Sequence, residues 1–400
     1  MLGAMQGAEA RTVEAAHAAE LSEVRPLTSL RFVAALYVFV FHIHIRWPVA
    51  GGVVDNVLSA GAIGMSLFFM LSGFILAHRH QSGELDVRDY LTNRFARIYP
   101  VYALTAILTL PWILGAGIAE RGLFENLLTA ALLVFADTFL IQAWFPQMFA
   151  YWNNGGSWSI SVEAFFYVMF PAIFPVLFRR TARQVLAVAL SAYVVSVAIG
   201  AVAIVFKPRP DYLLPIFYAM PIFRFPEFVL GICVFLAWQR TRLREVNPDL
   251  LYAAAFALLL PYLALLGKRV PLYITHNWLV LPVIAALLVA GAQRGGYVNR
   301  LLSHALPVWL GRISYCFYSF QLIVLLVLFT YREAIVSAVP ALAHNGLLLA
   351  VSLAVLVLLS AAGFHLVEEP MRKAIRRRSR PAAARSSPSL GEAAPPLSAP

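Results

Sequence analysis

The stretch Ser29-Leu-Arg-Phe-Val-Ala-Ala-Leu-Tyr-Val-Phe-Val-Phe-His-Ile43 places an arginine at 31 and a histidine at 42 in otherwise almost wholly apolar sequence. Eleven helical steps are three turns plus roughly 20°, so Arg31 and His42 share one face, about 16 Å apart along the axis. A charged side chain inside a bilayer costs about 2.5–3.5 kcal/mol unless it reaches the interface or a polar cavity. The stretch therefore reads as a membrane helix, and its two polar groups as a functional-site candidate.

The rest of the chain supports that reading. Of its 400 residues, 61% are hydrophobic and 13% charged, against about 45–50% and 25% in soluble domains. Apolar runs near the roughly 20 residues needed to cross a bilayer occur at 29–47, 60–78, 98–117, 124–143, 158–178, 184–206, 213–238, 250–266, 274–292, 308–330 and 344–366. Charge decides whether all of them cross. If 124–143 does not, then Arg88, Arg94 and Arg97, Arg179–Arg183, Arg240–Arg244 and the tail arginines all fall on the cytoplasmic side, as the positive-inside rule requires. Asp137 in that segment also suits a re-entrant or protein-buried helix. The expected fold is all-α: a polytopic bundle of about ten transmembrane helices, plus a re-entrant or buried helix near 124–143, with both termini cytoplasmic.

Residues 1–25 read as a mobile N-terminus without the features of a signal peptide, 26–372 as the membrane domain, and 373–400 as a disordered basic and Pro-Ala-Ser tail. No repeat is evident. The net charge of +11 is a membrane-orientation signal and gives no nucleic-acid partner. Cys233 and Cys316 fall in apolar runs, which argues against a disulfide framework and a thiolate metal site; no metal is expected. Oligomeric state is not legible.

Several groups bear chemistry. Thr92-Asn-Arg-Phe-Ala-Arg-Ile-Tyr-Pro100 sets Arg94 and Arg97 one turn apart. With Arg31 they would form a set of planar forks suited to phosphate, although orientation signalling alone also explains the pair. His42 is suited to act as general base or transient nucleophile in a desolvated bundle; the alternative is an interhelical hydrogen bond. His44, His78 and His80 read as structural or interfacial. Gly155-Gly-Ser-Trp-Ser-Ile-Ser-Val-Glu163 brings Glu163 into a span with Ser159 at i−4, where it could balance His42 or be a buried structural carboxylate. Trp158 and Ser159, with the polar turn at Asn153 and Asn154, are the candidates for acceptor contact. Ser72 and Gly73 read as packing residues. Arg224 and Glu227, spaced i, i+3 around Pro226, fit either a substrate-side ion pair in a broken helix or a structural pair at a kink.

In order along the chain, Arg31 with His42, Gly64-Met-Ser-Leu-Phe-Phe-Met-Leu-Ser-Gly-Phe74, Arg94-Phe-Ala-Arg-Ile-Tyr-Pro100, Trp158-Ser-Ile-Ser-Val-Glu163, Leu310-Gly-Arg-Ile-Ser-Tyr-Cys-Phe-Tyr318 and Glu368-Glu-Pro370 resemble the acyltransferase 3 family of bacterial integral-membrane O-acyltransferases. The resemblance implies transfer of an acyl group, commonly acetyl, from cytoplasmic acyl-CoA to a hydroxyl of an extracytoplasmic or membrane-linked glycan, across the bacterial inner membrane. Other acceptors it allows are macrolides and lipids. It implies His42 and Glu163 as catalytic residues and Arg31, Arg94 and Arg97 as the acyl-CoA site. Relatives often carry histidine seven residues after the serine of the Ser-Tyr motif, where this chain has Gln321, which places more weight on His42. A glycan transporter or flippase is the non-enzyme alternative.

Overall fold

The structure is a computed structural model describing residues 23–118, 123–149, 157–206 and 213–379, and the described residues are helical with no strand. The principal helices are α1 (Arg25–His44), α2 (Gly64–Arg79), α3 (Val87–Ile118), α4 (Leu123–Thr138), α5 (Ser157–Phe178), α6 (Ala182–Phe206), α7 (Pro221–Arg240), α8 (Pro248–Leu266), α9 (Val280–Ala292), α10 (Ser314–Ala338), α11 (Asn345–Gly363) and α12 (Glu369–Ser379). Their starts follow local chemistry. Proline stands in the first turn of α1, α7 and α8, where its missing N–H costs nothing and its fixed φ suits a helix. Asn247 caps α8 by accepting from the amides of Asp249 and Leu250.

Eight segments among the described residues are long and apolar enough to cross a membrane. The sequence expectation of about ten rests on two more. One is α3, 32 residues with Pro100 and Pro111 inside it. The other is α9, whose 13 residues rise only about 20 Å against a hydrocarbon core of roughly 30 Å. A helical turn at Leu272–Thr275 precedes α9, so this segment is a broken one. Helix α4 is also short, at 16 residues. Its end is tied to the middle of α3, where the Tyr102 hydroxyl donates to the Asp137 carboxylate and its Oη lies 3.0 Å from the Asp137 carbonyl. The chain turns there, with Leu140 at φ 58. This is the segment expected to be re-entrant or buried.

Helices α2 and α7 pack backbone to backbone. A Cβ on Gly73 would overlap the Phe228 carbonyl, and one on Gly231 would overlap that of Met70, so the packing role read for Gly73 holds. Aromatic rings fill the space beside this contact: Phe166 stacks on Phe228 at 4.7 Å and Phe170 on Phe174 at 4.9 Å. Basic residues gather at one end of the bundle. There Arg240 donates to the carbonyls of Phe178 and Arg180, and Arg312 pairs with Glu23 at 2.7 Å. Helix α12 continues to Ser379 at this end, so the first residues of the tail expected from 373 are helical; 380–400, like 1–22, lie outside the described residues.

Candidate active site

Three cavities follow one another from the basic end into the bundle. The first is a broad basin of about 1070 Å³, lined by Arg79, Arg244, Arg294, Arg372 and Arg376 together with Arg94 and Arg97. The second, an arginine chamber, shares Arg94 and Arg97 with the basin and adds Arg31, Ser159, Glu163 and Tyr167. The third holds His42 among Phe41, Arg46, Phe149, Trp158, Tyr218 and Phe329. It meets the arginine chamber at two shared residues, Met65 and Tyr318.

Helix geometry builds this path. Arg94 and Arg97 lie i, i+3 on α3 and so face the same way, at the neck between basin and chamber. Arg94 is buried and its guanidinium stands 5.9 Å from the Tyr90 ring centroid and 5.8 Å from that of Tyr167, contacts that favour a desolvated cation. On α5, Ser159, Glu163 and Tyr167 recur at i, i+4 and turn one face to the arginines. The Tyr167 hydroxyl donates to the Glu163 carboxylate. Ser159 Oγ and the Tyr318 hydroxyl are 2.7 Å apart, which fixes the phenol at the boundary of the two chambers. Trp158, one residue earlier and so about 100° round the helix, points instead into the His42 chamber.

Arg31 and His42 therefore share a helix face, but each opens into a different chamber. Arg31 lines the arginine chamber, where Glu163 and Glu368 face it electrostatically. Glu163 does not reach His42. Its carboxylate faces the arginines and Tyr167, because the i, i+4 row containing Ser159 points that way, and Arg46 is the charged neighbour that His42 has within its own chamber. The substrate candidates Trp158 and Ser159 divide between the chambers, and Asn153 and Asn154 lie outside the described residues. His44 is structural: its Nε2 is 2.8 Å from Asp55 Oδ1 and its Nδ1 accepts from the Val49 amide. His78 and His80, read as interfacial, stand in the basin wall.

Sequence reasoning missed Arg79, Arg244, Arg294, Arg372 and Arg376 as one surface. Their charge was visible and was taken as an orientation signal. Tyr318 was quoted within a motif but given no role, since nothing in the sequence shows that it borders two chambers.

The comparisons with known proteins point the same way. The profile of the acyltransferase 3 family, described as an acyltransferase domain, matches residues 27–364. The acyltransferase MdmB of Streptomyces mycarofaciens is 28% identical over 92% of this chain and 96% of its own length. A Bacillus subtilis protein provisionally named peptidoglycan O-acetyltransferase YrhL is 24% identical over 86% of the chain. The match spans 54% of YrhL, so the chain covers about half of that relative. No solved structure matches. With an arginine-lined path leading to the His42 chamber and a family match over most of its length, the chain belongs to the acyltransferase 3 family and is a membrane-embedded O-acyltransferase.

Proposed function

We propose that the protein moves an acyl group, acetyl in the simplest case, from cytoplasmic acyl-CoA to a hydroxyl of an extracytoplasmic or membrane-linked glycan. The basic end is then cytoplasmic, both termini lie on that side of a bacterial inner membrane, and about ten segments cross. The observation that carries this reading is the unbroken succession of basin, arginine chamber and His42 chamber, each joined to the next by shared wall residues.

The basin suits the phosphates of CoA. Its seven arginines have no acidic residue among the lining, and guanidinium forks hold phosphate oxygens in pairs. Arg94, Arg97 and Arg31 would draw the narrow pantetheine arm through the neck, with Glu163 offsetting part of their charge. The thioester would pass Met65 and Tyr318 to reach His42. There the imidazole takes the proton of the acceptor hydroxyl as its oxygen attacks the thioester carbonyl. The C–S bond breaks, the proton passes from imidazolium to the departing thiolate, and CoA and the ester leave. In the alternative route the imidazole is itself acylated before the hydroxyl attacks. Glu163 acts in this scheme from the arginine chamber, on the other side of the Tyr318 boundary from His42.

A glycan acceptor is favoured by the rings of Trp158, Tyr218 and Phe149 in the His42 chamber, which can stack on sugar faces, and by the peptidoglycan named for the Bacillus relative. A lipid-borne or macrolide acceptor draws support from a cleft between α3 and α4, lined by Ile107, Leu110, Leu133 and Val134. The deciding assay incubates purified protein in detergent with radiolabelled acetyl-CoA. The His42→Ala variant should lose CoA release, and release at the parent rate would overturn the assignment. A transporter or flippase would move glycan without consuming acetyl-CoA. Mass spectrometry of the quenched protein separates the two routes by the presence or absence of acyl-His42.

A further inference from the structure

The pair Arg224 and Glu227 has no place in the path from basin to His42, yet both side chains are fully buried. Their ion pair measures 3.2 Å, and His276 Nε2 stands 3.4 Å from the same Glu227 oxygen. Ser66 joins the group twice: Arg224 Nη2 donates to its Oγ at 3.0 Å, and that Oγ lies 3.2 Å from the His276 carbonyl, to which it donates. Breaking such a pair is expensive, and replacing it with apolar residues often is not. Stability alone therefore gives little reason for four polar groups at this depth.

What they touch gives a reason. Regular α-helix is interrupted at three places here: by the turn and 3-10 stretch at Ser59–Ile63 before α2, at Ala219–Met220 before α7, and at His276–Leu279 before α9. Non-helical backbone in a membrane needs partners from the protein. The His276 Nδ1–H reaches the Leu272 carbonyl at 2.8 Å, and the Tyr218 hydroxyl donates to the Ala62 carbonyl at 2.9 Å. The Tyr218 ring is itself held between Arg224, 4.9 Å from its centroid, and His276, 5.3 Å away ring to ring. Ala62, Tyr218 and Leu272 are wall residues of the His42 chamber. One side of that chamber thus hangs from the buried cluster.

We infer that Ser66, Arg224, Glu227 and His276 are positioning residues that set the Ala62–Tyr218–Leu272 wall and so orient the acceptor hydroxyl toward His42. The inference rests on the assignment of His42 as the transfer site. None of the four lines the basin or the arginine chamber, so delivery of acyl-CoA should be insensitive to them.

The test uses the full chain in detergent, with acetyl-CoA and methyl glucoside as a surrogate hydroxyl acceptor. Acetate and acetyl glucoside are both measured, as is CoA release without glucoside. Glu227→Gln and His276→Leu should lower the ratio of acetyl glucoside to acetate about tenfold, with CoA release in water kept within about twofold of the parent. His276→Asn, whose amide N–H can still donate to the Leu272 carbonyl, should recover much of the ratio; a purely space-filling role predicts no such rescue. An unchanged ratio in folded Glu227→Gln and His276→Leu protein would overturn the inference, as would CoA release falling in step with transfer. Failure of the underlying assignment looks different: CoA release would then survive His42→Ala.

Discussion

The basin and the His42 chamber stand at opposite ends of one path and are built on opposite terms. The basin is wide and wet, with seven arginines drawn from the end of α2, from α3 and α12, and from the turns at Arg244 and Arg294. The His42 chamber is ringed by aromatic side chains, and its charged wall residue, Arg46, is stacked 4.6 Å over Phe329. Away from the neck at Arg94 and Arg97, charge in the basin is screened by water and can be spread over many residues, each worth little. On the proposed reading, proton transfer in the chamber depends on the one imidazole of His42. The comparison teaches that redundancy belongs to the donor end and its absence to the transfer end, and that substitutions should differ in size accordingly.

The largest effect should come from His42. His42→Ala is expected to reduce acetyl transfer by about 10²–10⁴-fold, the range typical of losing a general base. Acetyl-CoA should still bind, because Arg94, Arg97 and the basin are untouched; isothermal calorimetry on the variant checks this. Loss of binding in parallel with activity would erase the division between the two ends.

Arg94→Ala or Arg97→Ala comes next. Each should raise KM for acetyl-CoA by about 10-fold or more, since a charge-assisted contact is worth about 1.5–3 kcal/mol, while kcat changes less. Arg97→Lys should restore little of it, because an ammonium cannot present a planar fork. A fall in kcat at unchanged KM would move Arg97 from the donor end to the chemistry. Trp158→Ala sharpens the contrast from the other side: it should lower acetyl-glucoside formation several-fold and leave KM for acetyl-CoA within about twofold, as expected for a ring that touches only the acceptor.

How much of this was legible depends on distance along the chain. Arg31 and His42 could be put on one face because helix period alone fixes their relation. An apolar helix over 124–143 was legible from composition; that it ends at Thr138, tied to Tyr102 through Asp137, was not. Glu163 was assigned to His42 because both are rare polar groups in spans. Sequence cannot say which chamber a helix face meets, and the Ser159–Glu163–Tyr167 row turned out to face the arginines. The basin was invisible as a unit: Arg79, Arg244, Arg294 and Arg372 come from four separate segments that only the packed bundle brings together. His276 gave no signal at all, being a lone histidine at a helix break whose partner Glu227 is 49 residues away.

Smaller effects are expected at the basin rim. Arg372→Ser with Arg376→Ser should raise KM for acetyl-CoA by about two- to five-fold at low ionic strength, and the difference from the parent should shrink strongly near 0.5 M salt, where the screening length is only a few ångströms. Persistence of the full effect at high salt would mean that these arginines bind as a dry, organised site, and the wet character assigned to the basin would be wrong.

The smallest effect concerns His80, in the basin wall just past the end of α2. Burial holds its imidazole below the ordinary value, with the charges of Arg94 and Arg79 adding to it, against a hydrogen bond to the Leu76 carbonyl that works the other way. His80 is therefore neutral at pH 7 and adds no charge to the basin. A bound polyanion favours the protonated form, so binding acetyl-CoA should draw up a proton as pH falls through the region below 6.5. KM for acetyl-CoA should decline by about threefold or less between pH 7.5 and 5.5 in the parent, and the decline should be weaker in His80→Asn. By contrast, kcat should follow the same pH profile in His80→Asn as in the parent, because His80 stands in the basin wall and not in the His42 chamber. If His80→Asn left the KM profile unchanged, or altered the kcat profile instead, the separation of the two ends would lose its pH signature.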